Sequence, residues 1–266
     1  MLNRDSPDLP DLWSVANALA DAARVETLRF FRGSDLATES KRADFDPVTV
    51  ADRNAEEAMR RILSELRPDD AVIGEEHGAK DGTTGLTWVL DPIDGTRGFI
   101  SGTPTWGVLI SVADADGPFL GIVDQPYVGE RFSGGLGRAE VIGPTGTMAM
   151  KVKETTMLAE AIVFTTFPEV GTPSEGAAFH RVAQRSKLTR YGCDCYAYAL
   201  LAAGQIDLVI EAGLQSYDIQ APIAVIEAAG GIVTNWEGEP VHNGGRALAA
   251  ATPELHAAAM ELLEDA

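Results

Sequence analysis

The segment Trp88-Val89-Leu90-Asp91-Pro92-Ile93-Asp94-Gly95-Thr96 decides how the rest of the chain is interpreted. Its apolar beginning predicts a short buried strand that ends in an acidic turn. Asp91 and Asp94 lie three positions apart and Pro92 stiffens the turn, so both carboxylates can face one point. Gly95 permits a tight backbone whose free N–H groups could hold an anion. A cation site beside an anion cradle is what phosphoryl transfer requires, although the segment alone is also typical of an ordinary turn.

Two further acidic positions lie at the ends of predicted apolar elements. Glu75 follows the predicted strand Ala71–Gly74, and Asp218 precedes a predicted helix. Unpaired carboxylates are costly to bury, so acids that converge there need a cation between them. Oxygen ligands favour Mg²⁺, Mn²⁺ or Ca²⁺ over zinc, and no His or Cys has a competing spacing. Taken singly, Glu75 and Glu76 are typical of a solvated pair, and Asp218 is typical of a helix N-cap.

Charge and hydropathy exclude several classes of function. The 266 residues carry 21 Lys plus Arg against 40 Asp plus Glu, a net charge of −19, so no nucleic-acid partner is expected. The apolar runs are far shorter than the roughly 18 residues of a membrane span, and the N-terminus lacks the apolar core of a signal peptide. Cys193 and Cys195 are too few for a disulfide framework. We therefore expect a cytoplasmic protein with no membrane partner.

The periodicity of apolar residues divides the chain into two halves. In the first half it predicts helices over 12–31 and 52–66. The strands that follow have no helices between them and favour an antiparallel meander: 71–74, 87–91, 106–112, 119–123, 130–133 and 140–142. In the second half, strands at 162–165, 188–191, 206–210 and 231–234 alternate with helices at 174–186, 196–203, 219–229 and 253–263. This alternation favours an α/β architecture. We predict halves 1–140 and 141–266 that pack tightly as one functional unit.

The acidic motifs, together with Asp46-Pro47-Val48-Thr49-Val50-Ala51-Asp52 and Glu227-Ala228-Ala229-Gly230-Gly231, resemble the inositol-monophosphatase-like family of Mg²⁺-dependent, lithium-sensitive phosphatases. The resemblance extends from about Leu12 to the C-terminal helix. Its most specific part combines Asp91–Thr96 with Asp218. It implies an α/β fold, a layered αβαβα sandwich with an α+β N-terminal half and an α/β C-terminal half. It also implies a homodimer.

The resemblance implies ligands for two to three Mg²⁺ ions, for which Mn²⁺ could substitute. Glu75, Asp91 and the carbonyl oxygen of Ile93 match the family's ligands of a first ion. Asp91, Asp94 and Asp218 match the ligands of a second ion, and Glu75 with waters would hold a weaker third. Ions in such positions can activate a water for attack and neutralise the leaving oxygen.

The resemblance also implies the catalytic residues Asp52, Thr96, Glu75 and Lys41. Gly95 and Thr96 match the family's phosphate cradle. Asp52 matches an acid that hydrogen-bonds the Thr96 hydroxyl, which in turn orients the attacking water and can relay its proton. Lys41 matches a basic residue near that catalytic loop.

The stretch Tyr191–Tyr198 resembles the histidinol-phosphate phosphatase branch. It is not typical of inositol monophosphatases, which carry small residues near the position of Asp194. Histidinol phosphate has an ammonium group and an imidazole, which an acidic pocket wall would attract, and we expect Asp194 and Glu211 on that wall. Each has a plainer interpretation, because Asp194 could bond the backbone at a helix start and Glu211 could end a strand partly in solvent. Gln220 is expected to line the substrate mouth.

The leading hypothesis is hydrolysis of L-histidinol phosphate to L-histidinol and phosphate, as in histidine biosynthesis, by attack of metal-activated water. An alternative keeps the chemistry and changes the small ester to inositol 1-phosphate or another sugar or nucleotide phosphate. A third hypothesis is a binding or regulatory relative without activity. The presence of every motif acid and of Thr96 disfavours the third hypothesis.

Overall fold

The computed structural model describes residues 11–33, 38–40 and 47–264, with only the backbone for 38–40, 47 and 48. Within these residues the helices are α1 (Leu12–Phe30), α2 (Val50–Leu66), α3 (Thr96–Ser101), α4 (Pro173–Ala183), α5 (Asp194–Ala202), α6 (Ser216–Ala228) and α7 (Pro253–Leu263). The strands are β1 (Thr38–Ser40), β2 (Pro47–Thr49), β3 (Ala71–Gly74), β4 (Gly78–Lys80), β5 (Thr87–Asp94), β6 (Gly107–Asp114), β7 (Gly117–Gln125), β8 (Glu130–Gly135), β9 (Arg138–Gly143), β10 (Gly146–Ala149), β11 (Ile162–Thr165), β12 (Leu188–Tyr191), β13 (Leu208–Leu214), β14 (Ile232–Thr234) and β15 (Gly245–Ala250).

Two amphipathic helices cover the outer face of the first sheet. α1 buries an apolar stripe from Leu12 to Ala23, which packs with Trp88 of β5. Leu28, which the helical period predicts on the same face, is 39 % exposed. α2 begins at Val50, slightly earlier than predicted, because Thr49 is its N-cap. Asp52 lies in the first turn and accepts a hydrogen bond from the Thr49 N–H, which completes a capping box.

The first sheet has eight strands in the order β10-β9-β8-β7-β6-β5-β3-β4. Consecutive strands from β5 to β10 pair antiparallel, which confirms the predicted meander, and β3 pairs parallel with β5. Because β9 and β10 belong to this sheet, the predicted boundary after residue 140 falls inside a strand. The chain passes to the second sheet only after Ala149.

The second sheet has five strands in the order β12-β11-β13-β15-β14. α4 and α7 cover its outer face through a cluster that includes Phe179, Leu208 and Leu255. α5 and α6 lie between the two sheets, and one apolar cluster joins Val123 of β7 with Val209 of β13 around them. The layers α1/α2, first sheet, α5/α6, second sheet and α4/α7 form the predicted αβαβα sandwich.

Two elements near the site are not predicted by the sequence pattern. α3 has only six residues between glycines in left-handed conformation, too few for a helical period to be visible. β15 consists mainly of alanine and glycine, which have low strand propensity, yet it is paired on both sides and largely buried. Among the helices of the described residues, none has both the length and the apolar character to cross a membrane.

Candidate active site

β5 ends in the acidic turn from which the site is built. The pairing register between β5 and β6 shifts between Asp91 and Asp94, and such an irregularity re-aims side chains. The Ile93 N–H donates to Asp91 Oδ1 at 3.0 Å, which orients that carboxylate. Gly95 then takes a φ of +84° and begins α3. The turn therefore places two acids and a helix start at the carboxyl end of one strand.

α6 contributes a third acid from the layer between the sheets. Asp218 lies in the first turn of α6, where its Oδ2 accepts a hydrogen bond of 2.7 Å from the Gln215 N–H. Carboxylate oxygens of Asp91, Asp94 and Asp218 all lie within 4.8 Å of one another. Asp218 thus takes part in capping its helix and also joins the acidic cluster.

The clustered acids repel one another. Burial raises the pKa of Asp91 well above its usual value, and the charges of Glu75 and Asp94 raise it further. Burial also raises the pKa of Asp94, with added repulsion from Asp194 and Asp218. Several hard oxygen ligands at such short separations suit a divalent cation, which would relieve the repulsion and hold the acids in their charged form. The donor set therefore fits a magnesium-type ion.

Glu75 reaches the site from the loop that follows β3. Its charge acts on Asp91, as described above. The loop is held by Glu56 of α2, a fully buried acid that accepts hydrogen bonds from the Glu76 N–H at 2.6 Å and the His77 N–H at 3.1 Å. Glu56 is not among the residues predicted from the sequence, although an acid on the apolar face of an amphipathic helix is a signal that the sequence contains.

Thr96 and Asp52 are in contact, as the family resemblance implied. Thr96 Oγ1 lies 3.4 Å from Asp52 Oδ1 and 3.1 Å from the Ile93 carbonyl oxygen, so its single proton can be donated to either. Burial raises the pKa of Asp52 to about 6, although hydrogen bonds from Thr49 oppose this shift. Such a group can exchange a proton near neutral pH. Lys41 lies outside the described residues.

Asp194 begins α5 beside the acidic turn. Its φ of +45° is left-handed, a conformation that Asp tolerates better than most residues, and the Cys195 N–H donates to Asp94 Oδ2 at 2.6 Å. The Asp194 carboxylate lies against Gly95, where a Cβ would be 2.9 Å from Asp194 Cγ. Burial raises the pKa of Asp194 to about 6, and the charge of Arg97 opposes this. No hydrogen bond to this carboxylate forms among the described residues, so the alternative of a backbone bond at the helix start is not observed.

Glu211 projects from β13 and is only 6 % exposed, which rules out a partly solvated strand end. Its Oε1 accepts a hydrogen bond of 2.6 Å from the Thr166 N–H, and its Oε2 accepts one of 3.2 Å from the Thr165 hydroxyl. Burial raises the pKa of Glu211 to about 7. Each carboxylate oxygen keeps a lone pair with which it can accept a hydrogen bond from a ligand.

The structure corrects the expectation for Gln220. Its amide donates to the His242 carbonyl at 3.0 Å, and its Oε1 accepts from the Ser111 hydroxyl at 3.4 Å. It does not line the cavity that contains Asp218. Two positions along a helix correspond to a rotation of about 200°, so Gln220 faces away from the side on which Asp218 lies.

A cavity of about 340 Å³ joins the acidic turn to the second sheet. Its lining comprises Glu75, Asp94, Gly95, Thr96, Arg97, Thr166, Phe167, Asp194, Cys195, Tyr198, Glu211, Ala212, Gly213, Leu214, Gln215, Tyr217 and Asp218. Among these described residues, five are acids and Arg97 is the single cation. The cavity is therefore suited to cations and to positively charged ligands.

The sequence matches a model of the inositol monophosphatase family over residues 8–266. The chain is 40 % identical over 263 residues to the bifunctional phosphatase IMPL2 (chloroplastic) of Arabidopsis thaliana, and the match covers 94 % of this chain and 74 % of that protein. It is 35 % identical to a histidinol-phosphatase of Streptomyces coelicolor, with 94 % and 96 % of the two chains covered. It is 30 % identical to an inositol-1-monophosphatase of Caulobacter vibrioides, with 93 % and 100 % covered.

The solved structure of an inositol monophosphatase from Zymomonas mobilis has the same fold. The TM-score is 0.82 at 34 % identity, and the match covers 94 % of this chain and 96 % of that one. The family model spans nearly the whole chain, and the acidic cluster lies within it. The chain therefore belongs to the inositol monophosphatase family of metal-dependent phosphatases.

Proposed function

We propose that this chain is a phosphomonoesterase that hydrolyses L-histidinol phosphate to L-histidinol and phosphate. The observation that carries the proposal is the Asp194 carboxylate, which lines the cavity and has no hydrogen-bond partner among the described residues. Asp194 is partly buried and only the charge of Arg97 acts in its favour, so a ligand that supplies a donor and positive charge would stabilise its charged form. The ammonium of L-histidinol phosphate would supply that charge, and the imidazole N–H would donate a hydrogen bond to the carboxylate, Asp194 or Glu211, that the ammonium leaves free.

Inositol 1-phosphate is the second candidate substrate. The observation that favours it is Glu211, because the lone pairs that remain on its carboxylate can accept a hydrogen bond from a hydroxyl as well as from an N–H group. A neutral polyol would add no positive charge beside Asp194, where Arg97 is the single cation that lines the cavity among the described residues. For this reason we rank the aminated ester first. Relatives with each of the two names support the class of small phosphate esters.

We assign the binding of two to three Mg²⁺ ions, or Mn²⁺ in their place, to the acidic cluster and its neighbours: Glu75, Asp91, the Ile93 carbonyl, Asp94 and Asp218. When bound, such ions stabilise the charge that develops on the phosphate and leaving oxygens and lower the pKa of a water nucleophile. The chain itself fixes the ligand orientation. Backbone N–H groups of Ile93, Cys195 and Gln215 each hold one of the carboxylates.

We assign the orientation and deprotonation of the nucleophile to Thr96 and Asp52. When the Thr96 hydroxyl donates to Asp52, its lone pairs are free to accept a hydrogen bond from a water, which fixes the direction of that water. The pKa of about 6 for Asp52 suits proton transfer near neutral pH. The backbone N–H groups of Gly95 and Thr96 at the start of α3 would hold the phosphate oxygens.

Replacing Asp194 by Asn tests the proposed substrate, because it removes the charge and keeps the shape. We expect kcat/KM for L-histidinol phosphate to fall by about thirtyfold or more, as for loss of one partner of a buried ion pair. The value for inositol 1-phosphate should change by less than about threefold, because that ester offers Asp194 no cation. Glu57→Gln, an exposed acid on α2, is the control. Equal losses on both esters would remove Asp194 from substrate recognition.

The homodimer and the lithium sensitivity implied by the family resemblance stay predictions, as does the cytoplasmic location expected from composition and cysteine usage. Sedimentation velocity of the purified chain tests the homodimer, and a lithium titration of phosphate release tests the inhibition. A monomer at all concentrations would contradict the first expectation. Activity that is constant over the titration would contradict the second.

A further inference from the structure

Tyr198 is one of the residues that line the cavity, and its buried hydroxyl has no hydrogen-bond partner among the described residues. It lies on α5 four positions after Asp194, and both residues line the cavity. The residue is 3 % exposed, and its hydroxyl makes no hydrogen bond with any described residue. Of the buried polar side-chain atoms without a partner in the described structure, only this one belongs to a residue that lines the cavity.

Packing alone does not explain this hydroxyl. The Tyr198 ring belongs to the apolar cluster between the two sheets, and phenylalanine would fill the same space. A buried hydroxyl without a partner destabilises the fold, because it loses its hydrogen bonds to water. A residue that retains such a group beside a binding cavity is expected to use it on a ligand.

The surroundings of the hydroxyl decide which role it can play. A phenolic hydroxyl has an ordinary pKa of about 10 and keeps its proton near neutral pH, and burial raises the pKa of Tyr198 further. The charged carboxylates around it can only accept hydrogen bonds. Tyr198 therefore adds a donor to a part of the cavity that otherwise presents acceptors.

A neutral imidazole matches this combination. It presents one N–H donor and one nitrogen acceptor, whereas an ammonium group presents donors alone. Carboxylates such as Asp194 and Glu211 can satisfy the ammonium and the imidazole N–H, but they cannot satisfy the acceptor nitrogen. That nitrogen needs a protein donor, and a phenolic hydroxyl can provide it.

We propose that the Tyr198 hydroxyl is a specificity-determining hydrogen-bond donor to the unprotonated imidazole nitrogen of the substrate. The proposal rests on the proposed function, because it needs a substrate with a nitrogen heterocycle. It adds to the acidic wall a polar contact that recognises the ring rather than its charge. An inositol or sugar phosphate has no such nitrogen.

Tyr198→Phe tests the proposal, because it removes one oxygen and keeps the ring. We expect kcat/KM for L-histidinol phosphate to fall about tenfold, which corresponds to the loss of one hydrogen bond. L-Alaninol phosphate is the comparison ester, since it keeps the ester and the ammonium and has a hydrogen in place of the imidazole ring. Its kcat/KM should change by less than about twofold. The melting temperature should stay the same or rise, because no protein hydrogen bond is lost.

Tyr196→Phe is the matched control on the same helix. The Tyr196 hydroxyl donates to Glu130 Oε2 at 2.6 Å and does not line the cavity, so its removal should lower the melting temperature and leave the ratio of the two esters unchanged. Equal losses of Tyr198→Phe on both esters, no loss on either, or a variant that fails to fold would overturn the proposal. A wild-type chain that does not hydrolyse L-histidinol phosphate would overturn the proposed function, and with it this inference, before any substitution is made.

Discussion

At the scale of single residues, Gly95 is where the acidic turn contacts the Asp194 carboxylate. Gly95 has a φ of +84°, and a Cβ at this position would lie 2.9 Å from Asp194 Cγ. There is therefore no room for a side chain. Gly95→Ala should therefore combine backbone strain of about 1–3 kcal/mol with displacement of Asp194. We expect a lower free energy of unfolding and a large loss of activity, measured by urea unfolding and phosphate release.

Gly137→Ala measures the effect of backbone strain alone, without the displacement of a neighbouring side chain. Gly137 has a φ of +78°, but a Cβ there would have no heavy atom within 4 Å. The Gly137→Ala variant should lose a similar amount of unfolding free energy through strain and keep full activity. If the two variants lose activity equally, the contact between Gly95 and Asp194 has no role in the site.

The acids near the turn were predictable because their signal is local. Asp91 and Asp94 share one short motif, and Asp218 is recognisable from its place at the start of an apolar helix. Gln220 was placed wrongly, because the direction of a helical side chain depends on the helix phase. Tyr198 and Glu56 were missed, since their roles depend on partners, or on missing partners, that only the folded chain reveals.

At the scale of elements, the position of Glu75 depends on the contact between α2 and the loop after β3. The fully buried Glu56 accepts two backbone N–H bonds from that loop and pairs with Arg60 at 2.7 Å. Glu56→Gln should cost about 2 kcal/mol of unfolding free energy, because a charged acceptor is lost. It should also raise the Mg²⁺ concentration required for half-maximal activity, because the loop that carries Glu75 loosens.

The control for that variant is Glu57→Gln, which changes an exposed acid at the next position of α2. It should leave stability within about 0.5 kcal/mol of the parent. An unchanged Mg²⁺ requirement in Glu56→Gln, together with the expected loss of stability, would show that Glu56 supports the fold and not the metal ligands.

Elements with strong periodicity or β-branched sequence were predicted closely. β11 (Ile162–Thr165), β12 (Leu188–Tyr191) and α7 (Pro253–Leu263) have the predicted bounds. The boundary between the halves was placed too early, because the short exposed hairpin β9–β10 has little apolar character to assign it to the first sheet. The local sequence pattern determines where an element begins and ends. The sheet to which a strand belongs depends on its pairing with strands elsewhere in the chain.

At the scale of the whole molecule, the buried acids couple stability to pH and to divalent ions. The pKa of Asp52 is raised from 3.8 to about 6, and that of Glu211 from 4.5 to about 7. The folded state therefore binds more protons than the unfolded state in this range, and stability falls as pH rises from about 4 to about 7. Without metal, these acids should make the protein less stable at pH 7.5 than at pH 5.

Burial also raises the pKa values of Asp91 and Asp94. Divalent ions should act in the opposite direction, because they would bind the charged carboxylates of Asp91, Asp94 and Asp218. Melting temperatures at pH 5 and pH 7.5, with chelator and with Mg²⁺, check this prediction. The stabilisation by Mg²⁺ should be larger at pH 7.5. A shift that is equal at both pH values would show that the ion does not bind the buried acids.

The most direct test of the central claim is the wild-type ratio of kcat/KM for L-histidinol phosphate to that for inositol 1-phosphate, measured with Mg²⁺ and then with chelator. We predict a ratio of about one hundred or more, roughly 3 kcal/mol of discrimination, and loss of both activities with chelator. A ratio at or below one would leave the acidic cluster as a metal site and contradict the assignment of Asp194 and Glu211 to a cationic substrate.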